Sequence, residues 1–545
     1  MAAVGEAPTL FLRKATGLVK GWSKFDAFLY SFMSVNFVTL GLFFALSVLA
    51  FVPGGQAIPA ILISAVFVTF LVIAYSALIS VMPRAGGDYV WQSRVLGGGL
   101  AFLLAVTGWW FILWYWAPIY GNILNVEFLQ PLAAIFKWGG VSTFLASNNG
   151  LFTVCMVAIV LAGILVSLGM EGYAKVQRIC FYIGLVGLGV MLLIMLFGSR
   201  GGFTSAFNQE SKNLFGSNNA YAETIKVAAT ANGGTIVPKL GFSPFFGNTL
   251  LLVPFMCFWI LWPNWGATLY GEVRGASDFK RVMTGMMYGL WVTVAIAIVF
   301  ILLATKFFGW DFFNAANLNY WNQVYGFIPK APIPVWSYPP LLVGMWFHNS
   351  FLAGLLIVVF GAWYLGWSGT LFLSSTRVIF AAAFDRILPE RVADVTERRH
   401  VPVWSLVLML VPATIVSLFY AYTSAVKTWI LDATLVIAVT FLGTAIAAIV
   451  LPWRKKALYE NSPIAKYKIA GIPLVTVAGT ITALFLAFNL WEWFDKDLYA
   501  VNNSDSLKFM GVMYLAALVI YVVAKVYRKR QGIDLNAIYR EIPVE

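Results

Sequence analysis

Met82-Pro83-Arg84-Ala85-Gly86-Gly87-Asp88-Tyr89 separates an apolar run ending at Val81 from another that opens at Gly98. A second charged connector reads Ser375-Thr376-Arg377-Val378-Ile379-Phe380-Ala381-Ala382-Ala383-Phe384-Asp385-Arg386-Ile387-Leu388-Pro389 and continues through Val395, Arg398 and Arg399 to Val401-Pro402. Outward from these connectors lie apolar runs at 57–81, 151–169, 173–198, 403–420, 429–451 and 509–526. An α-helix needs about 18–25 such residues to cross roughly 30 Å of hydrocarbon. Twelve runs can be counted, starting near Asp26, Ala57, Gly98, Leu151, Gly172, Gly247, Val282, Asn349, Val403, Trp429, Gly471 and Phe509. Composition agrees, since 61% of the 545 residues are hydrophobic and 11% charged, against about 45–50% and 25% in soluble domains. The roughly ten-residue alternation of a membrane β-barrel is absent. The sequence therefore predicts an all-α integral membrane protein of twelve transmembrane helices.

Charge orients it. Residues 1–24 are mixed polar, with Arg13, Lys14, Lys20 and Lys24, and the first apolar run is too long for the core of a cleavable signal. With an even number of spans and the N-terminus inside, 26 of the 36 Lys and Arg residues fall on the cytoplasmic side. That is the positive-inside pattern, and it places both termini in the cytoplasm of a multi-pass protein of the cell membrane. The net charge of +13 is thereby accounted for without a nucleic-acid partner. The expected partners are the lipid bilayer and a small solute. Oligomeric state is open, and a monomer is compatible with everything read here.

Two insertions interrupt the helical pattern. Residues 199–245, rich in Gly, Ser, Asn and Thr, read as a long external loop with little core of its own. Residues 307–340 mix Trp310, Tyr320, Trp321 and Trp336 with Pro332, Pro334, Pro339 and Pro340, which reads as a structured external cap. A glycosylation sequon, Asn502-Asn503-Ser504, falls in a predicted outer loop. Cys155, Cys180 and Cys257 lie in or beside apolar helices without a CxxC neighbour, so they read as small buried hydrophobes, with neither disulfide framework nor metal site indicated.

The two connectors resemble signatures of the amino acid–polyamine–organocation permeases: a Pro-x-x-Gly-Gly-x-Tyr loop after the second helix, and Ser-x-Arg followed by Ala-x-Asp-x-x-Leu-Pro at the end of the eighth. Ala174-Lys175-Val176-Gln177 and Glu272-Val273-Arg274 are further matches, and the four run in order from about residue 20 to 455. The resemblance implies a LeuT-type fold in which two five-helix repeats are inverted. Residues 1–25 would be a cytoplasmic tail, 26–198 the first repeat, 246–451 the second with its cap, 452–527 two added helices, and 528–545 the second tail. In that fold helices 1 and 6 are broken at the midplane, and their freed backbone groups hold the solute.

In helix 6, Trp262-Pro263-Asn264-Trp265-Gly266 carries a proline that removes a donor and a glycine that adds freedom, so the break belongs there. An ordinary proline kink would leave the same signature. By the resemblance, Asn36, Thr39 and Gly41 of helix 1 and Trp259, Trp262, Asn264 and Gly266 of helix 6 would border the substrate. Trp110 and Trp114, one helical turn apart in helix 3, would wall the cavity, or else simply pack. Pro263, Asp385, Gly86, Gly87 and Arg377 are expected in gating or structural roles, with Lys20 or Lys24 pairing Asp385 across a cytoplasmic gate. The coupling ion is open. Thr370 matches half of the hydroxyl pair that binds sodium in relatives, with Leu371 beside it. Gly184 stands where proton-coupled relatives often carry lysine, and the usual helix-6 glutamate is missing.

The expected function is secondary-active transport of an amino acid or amine, with no cofactor. A nucleobase or polyamine carrier on the same fold is the alternative. A channel would want a filter of charge or carbonyl rings. An enzyme would gather ligating side chains at one depth, whereas the only histidines, His348 and His400, fall on opposite sides of the predicted topology. The topology can be checked directly. Labelling intact cells with an impermeant maleimide should modify Asn503→Cys and leave Asp394→Cys untouched, and the reverse pattern would overturn the orientation.

Overall fold

A computed structural model describes residues 17–38, 41–231, 240–241, 248–423 and 430–542. Among them are eleven helices long and apolar enough to cross a membrane. A twelfth crossing is divided, because the first apolar run forms two short helices, Lys24–Val35 and Leu42–Ser47, neither long enough to span alone. We number that pair span 1. Spans 2 to 6 are Ala57–Val81, Gly98–Ile135, Asn148–Ser167, Gly169–Phe197 and Asn248–Glu272. Spans 7 to 12 are Phe279–Phe307, Ser350–Phe384, Val403–Tyr422, Leu431–Arg454, Leu474–Asp495 and Ser504–Arg530. The outer members of the bundle bury least. Span 12 turns Leu515, Val519, Val522, Val523 and Val526 outward, an apolar surface that belongs in lipid.

The described residues of every segment read as cytoplasmic gather on one face, called here the tail face. The Trp22 amide donates to the Glu272 carbonyl at 3.2 Å, and the Arg274 amide donates back to the Trp22 carbonyl at 3.0 Å. His400 meets the Gly17 carbonyl at 2.9 Å, and the Arg528 guanidinium donates to the carbonyls of Arg386 and Leu388. A two-stranded ribbon, Lys468–Ile469 with Ile472–Pro473, links spans 10 and 11.

The opposite face carries the cap. The insertion after span 5 is not the coreless loop its composition implied. It forms helices Arg200–Phe215 and Ala220–Ala231, capped at one end by the Ser199 hydroxyl accepting from the Gly202 amide. Phe203, Ala206 and Phe207 recur at helical spacing and are buried, as are Ala220, Thr224 and Ala228. Gly201, Gly202 and the Ser and Asn residues that follow them obscured a short amphipathic stripe. Both helices brace the second insertion, whose helix Trp310–Val324 is held by the Asn319 amide on the Thr224 carbonyl at 2.8 Å. His348 lies on this face beside Glu210, across the molecule from His400.

Candidate functional site

Both breaks occur where the sequence reading put them. Span 1 stops at Val35 because Asn36 turns to φ 53°, a left-handed conformation that asparagine tolerates better than most residues. The Asn36 side-chain oxygen accepts from the Val38 amide at 3.1 Å, and its carbonyl accepts from the Leu42 amide at 3.3 Å. Span 6 loses its α-helix after Ile260 and resumes as a tighter 3₁₀ helix over Trp265–Glu272. Proline supplies the break, and the Pro263 carbonyl is met by the Ser31 hydroxyl at 2.8 Å. The two interrupted helices thus satisfy each other where lipid could not.

Between the breaks is a cavity of about 20 Å³ lined by Ser34, Val35, Asn36, Trp116, Tyr120, Phe258, Trp262, Trp265, Trp367 and Thr370. Among the described residues no charged side chain contributes to it. Its walls brace one another: Tyr120 stacks on Trp367 with centroids 3.6 Å apart, and the Trp265 indole donates to the Thr370 carbonyl at 3.1 Å. Toward the cap, Trp116 stacks on Phe258, Phe258 packs at a tilt on Phe44, and Phe44 meets Trp321 of the cap helix edge-on. Beyond these rings a wider vestibule of about 230 Å³ opens, bordered by Asn122, Asn125, Gln130, Tyr320 and Tyr420 among others.

Toward the tail face the closure is ionic. Asp385, 1% exposed, takes two bonds from the Arg94 guanidinium, at 2.5 and 2.8 Å, and one from the Tyr89 hydroxyl at 2.9 Å. Arg377, fully buried, forks onto Glu272 at 2.7 and 2.9 Å. The Gly86 amide donates to the Thr268 carbonyl at 2.8 Å, and Gly87 packs against Thr268, so the glycine loop is clamped to the resumed half of span 6. Between this layer and the cavity, buried Asp88 accepts from Tyr75, Trp109 and Thr444. Trp109 in turn packs on Trp265 at 4.6 Å.

The family model for amino acid permeases matches residues 23–524, almost the whole of this bundle including both breaks. The chain belongs to that family. No curated protein matches it, so the permease's solute must be argued from its own residues.

Of the residues singled out in the sequence, Asn36, Trp262 and Thr370 line the permease's cavity. Trp259 lies behind it against Gly41, and Gly266 packs on Tyr30 of span 1. Asn264 is fully buried beside the break. Thr39 lies outside the described residues. Trp110 and Trp114 point away, both indoles donating to the Leu408 carbonyl of span 9 at 3.2 and 3.1 Å. A helix advances roughly 100° per residue, so the indole of span 3 that lines the cavity is Trp116, on the other side of the helix from Trp114. The partner expected for Asp385 also differs, since the carboxylate is bonded to Arg94 and Tyr89 and not to Lys20 or Lys24. Asp26, beside those lysines, pairs with Arg178. Sequence reasoning passed over Arg94, Glu272, Tyr120, Trp116 and Trp367. Glu272 stood within a quoted motif and Arg94 five residues beyond one, but their partners lie 105 and 291 residues away. At Gly184 the ring of Trp363 occupies the space a side chain would need, with an added Cβ only 2.2 Å from it.

Gly41 offers a sharp test of the break. A Cβ there would sit 1.4 Å from the Asn36 carbonyl oxygen, and the opposing atom is backbone. Gly41→Ala should therefore destabilise the permease by roughly 2–4 kcal/mol, in the range of severe backbone lesions. Gly189→Ala, in open space within span 5, should be neutral or slightly stabilising. Equal melting temperatures for the two variants would refute the described closure of span 1.

Proposed function

We propose that the permease is a secondary-active carrier that moves an amino acid or a related amine across the cell membrane by alternating access, with both termini in the cytoplasm. The observation that carries this is the cavity where spans 1 and 6 break. The α-helices ending at Val35 and Ile260 both bring their C-terminal, carbonyl-bearing ends toward it, and such ends carry partial negative charge. Aromatic faces of Trp116, Tyr120, Trp262 and Trp367 surround the same point. Carbonyl dipoles and indole faces together suit an ammonium group. Among the described residues no Arg or Lys lines the cavity to neutralise a second carboxylate, which favours an apolar, aromatic or cationic side chain over an acidic one.

A volume of about 20 Å³ holds about one water, whereas solute pockets run to roughly 300 Å³ or more. This geometry supports a closed state, with rings shut on one side and ion pairs on the other. Loading a solute then requires the cap-side rings to part, and release requires the Arg94–Asp385 layer to part. The bias of Lys and Arg toward the tail face supports its being the cytoplasmic one.

Thermal-shift measurements on purified protein against the twenty amino acids, amines and nucleobases should show selective stabilisation by an amino acid or amine. A response to nucleobases alone would overturn the substrate class, and glutamate as best ligand would overturn the reading of the pocket.

The Arg94–Asp385 pair supplies the tail-side gate in this reading. Removing one partner of a buried pair typically costs about 3–5 kcal/mol, because the other charge is left stranded. Asp385→Asn should lower thermal stability and abolish accumulation while ligand binding persists. The double change Arg94→Gln with Asp385→Asn should recover stability without recovering accumulation. Wild-type accumulation in either variant would refute the gate.

A further inference from the structure

Span 3 carries an acid that the mechanism above does not use. Glu127 is 0% exposed, and neither of its carboxylate oxygens has a hydrogen-bond partner among the described residues. It lies in Leu124–Leu129, where the helix widens to the i→i+5 bonding found mostly as short functional bulges. The helices packed against that turn cover residues 112–123, 130–135, 148–167 and 350–368. They contain no Asp, Glu, Lys, Arg or His. Their titratable groups are Tyr115, Tyr120, Cys155 and Tyr364. The cap adds Tyr338, whose hydroxyl is also buried without a partner. Tyr338 and Tyr364 both pack on the ring of Phe128, the next residue along the chain, with centroids 5.7 Å away.

An ionised carboxylate cannot be held in such a place without a counter-charge or donors, because its desolvation is not offset. Water is near, however. Asn125, Val126 and Gln130, in the same and the next turn, border the vestibule. The Tyr338 ring also bridges the moving parts, packing on Phe128 of span 3 at 5.7 Å and on Phe43 of span 1 at 5.8 Å. On the other side, the Tyr364 hydroxyl donates to the Tyr120 carbonyl at 2.9 Å, and the Tyr120 ring walls the solute cavity.

We propose that Glu127 is a proton-binding site that couples the carrier to a proton gradient. The step is a simple acid–base one. A hydronium ion in the vestibule gives its proton to the Glu127 carboxylate, forming an O–H bond and leaving water, and the cap closes over the neutral acid. When the site is rehydrated after reorientation the O–H bond breaks, and the proton leaves to water on the side then open. Closure thus requires one bound proton, because the closed packing leaves the anion nothing to pair with. This also supplies, from span 3, the proton-handling group that neither Gly184 nor the altered span 6 provides.

The inference rests on the carrier reading, and the test separates the two. Full-length protein is reconstituted in liposomes and given a tritiated mixture of the twenty amino acids and their decarboxylated amines in two assays. Counterflow, measured without any ion gradient, tests the carrier; accumulation under an inward proton gradient tests coupling. Wild type should do both. Glu127→Gln, which mimics the neutral acid in shape and charge, should keep wild-type counterflow and lose gradient-driven accumulation down to the gradient-free control. Infrared spectra at neutral pH should contain a buried carboxylic-acid carbonyl band that the same variant lacks. Counterflow in wild type with no response to the proton gradient overturns Glu127 coupling and leaves the carrier standing. Absent wild-type counterflow overturns the carrier reading and the coupling with it. Accumulation retained by the variant, loss of its counterflow as well, or absence of the infrared band each overturns the role of Glu127.

Discussion

A helix interrupted inside hydrocarbon must find partners for the backbone groups it frees, because lipid offers none. The permease meets that constraint by breaking two helices side by side. Asn36 caps the end of one with its own side chain, while Ser31 of that helix answers the Pro263 carbonyl of the other. Neither interruption is affordable without its neighbour. From this follow the position of the cavity, the close approach at Gly41, and the need for spans 1, 3, 6 and 8 to converge.

Around that centre the two faces close by different chemistry. Aromatic rings separate readily once wetted, since each contact is worth only about 0.5–1.5 kcal/mol beyond its buried area. Buried forked ion pairs are costly to break one partner at a time, yet both partners are well solvated once exposed to water together. The cap face thus has many weak contacts in series, and the tail face has two strong ones, Arg94–Asp385 and Arg377–Glu272. Because Arg377 and Asp385 both lie in the last turns of span 8 and its exit, that one segment anchors the whole tail-side closure.

Much of this was legible in the sequence. Apolar run length alone located the spans, and Pro263 marked the break in span 6 because a missing amide has the same consequence in any context. The connectors named Asp385 and Arg377 as residues of consequence. What could not be read was partnership. Nothing local links Arg94 to Asp385 or Glu272 to Arg377, and lysines near in the expected topology were the more obvious choice. The facing of tryptophans was equally opaque: Trp110, Trp114 and Trp116 have the same composition signal, and only the packing of spans 3 and 9 decides which indole turns inward. Glu127 was passed over in the sequence, because its isolation depends on four helices and the cap, none of which a linear reading assembles.

The strap at Trp22 has a mechanical meaning. Its two backbone bonds to Glu272 and Arg274 join the start of span 1 to the end of span 6, and the Ser31–Pro263 bond joins the same two pieces at their other ends. Fastened at both ends, the two half-helices form one lever and not a pair of independent shutters. They cannot swing apart from each other without first losing a fastening, so the tail face is built to yield as a unit. In the carrier proposed above, a lever of this kind leaves few half-open postures through which ions could leak.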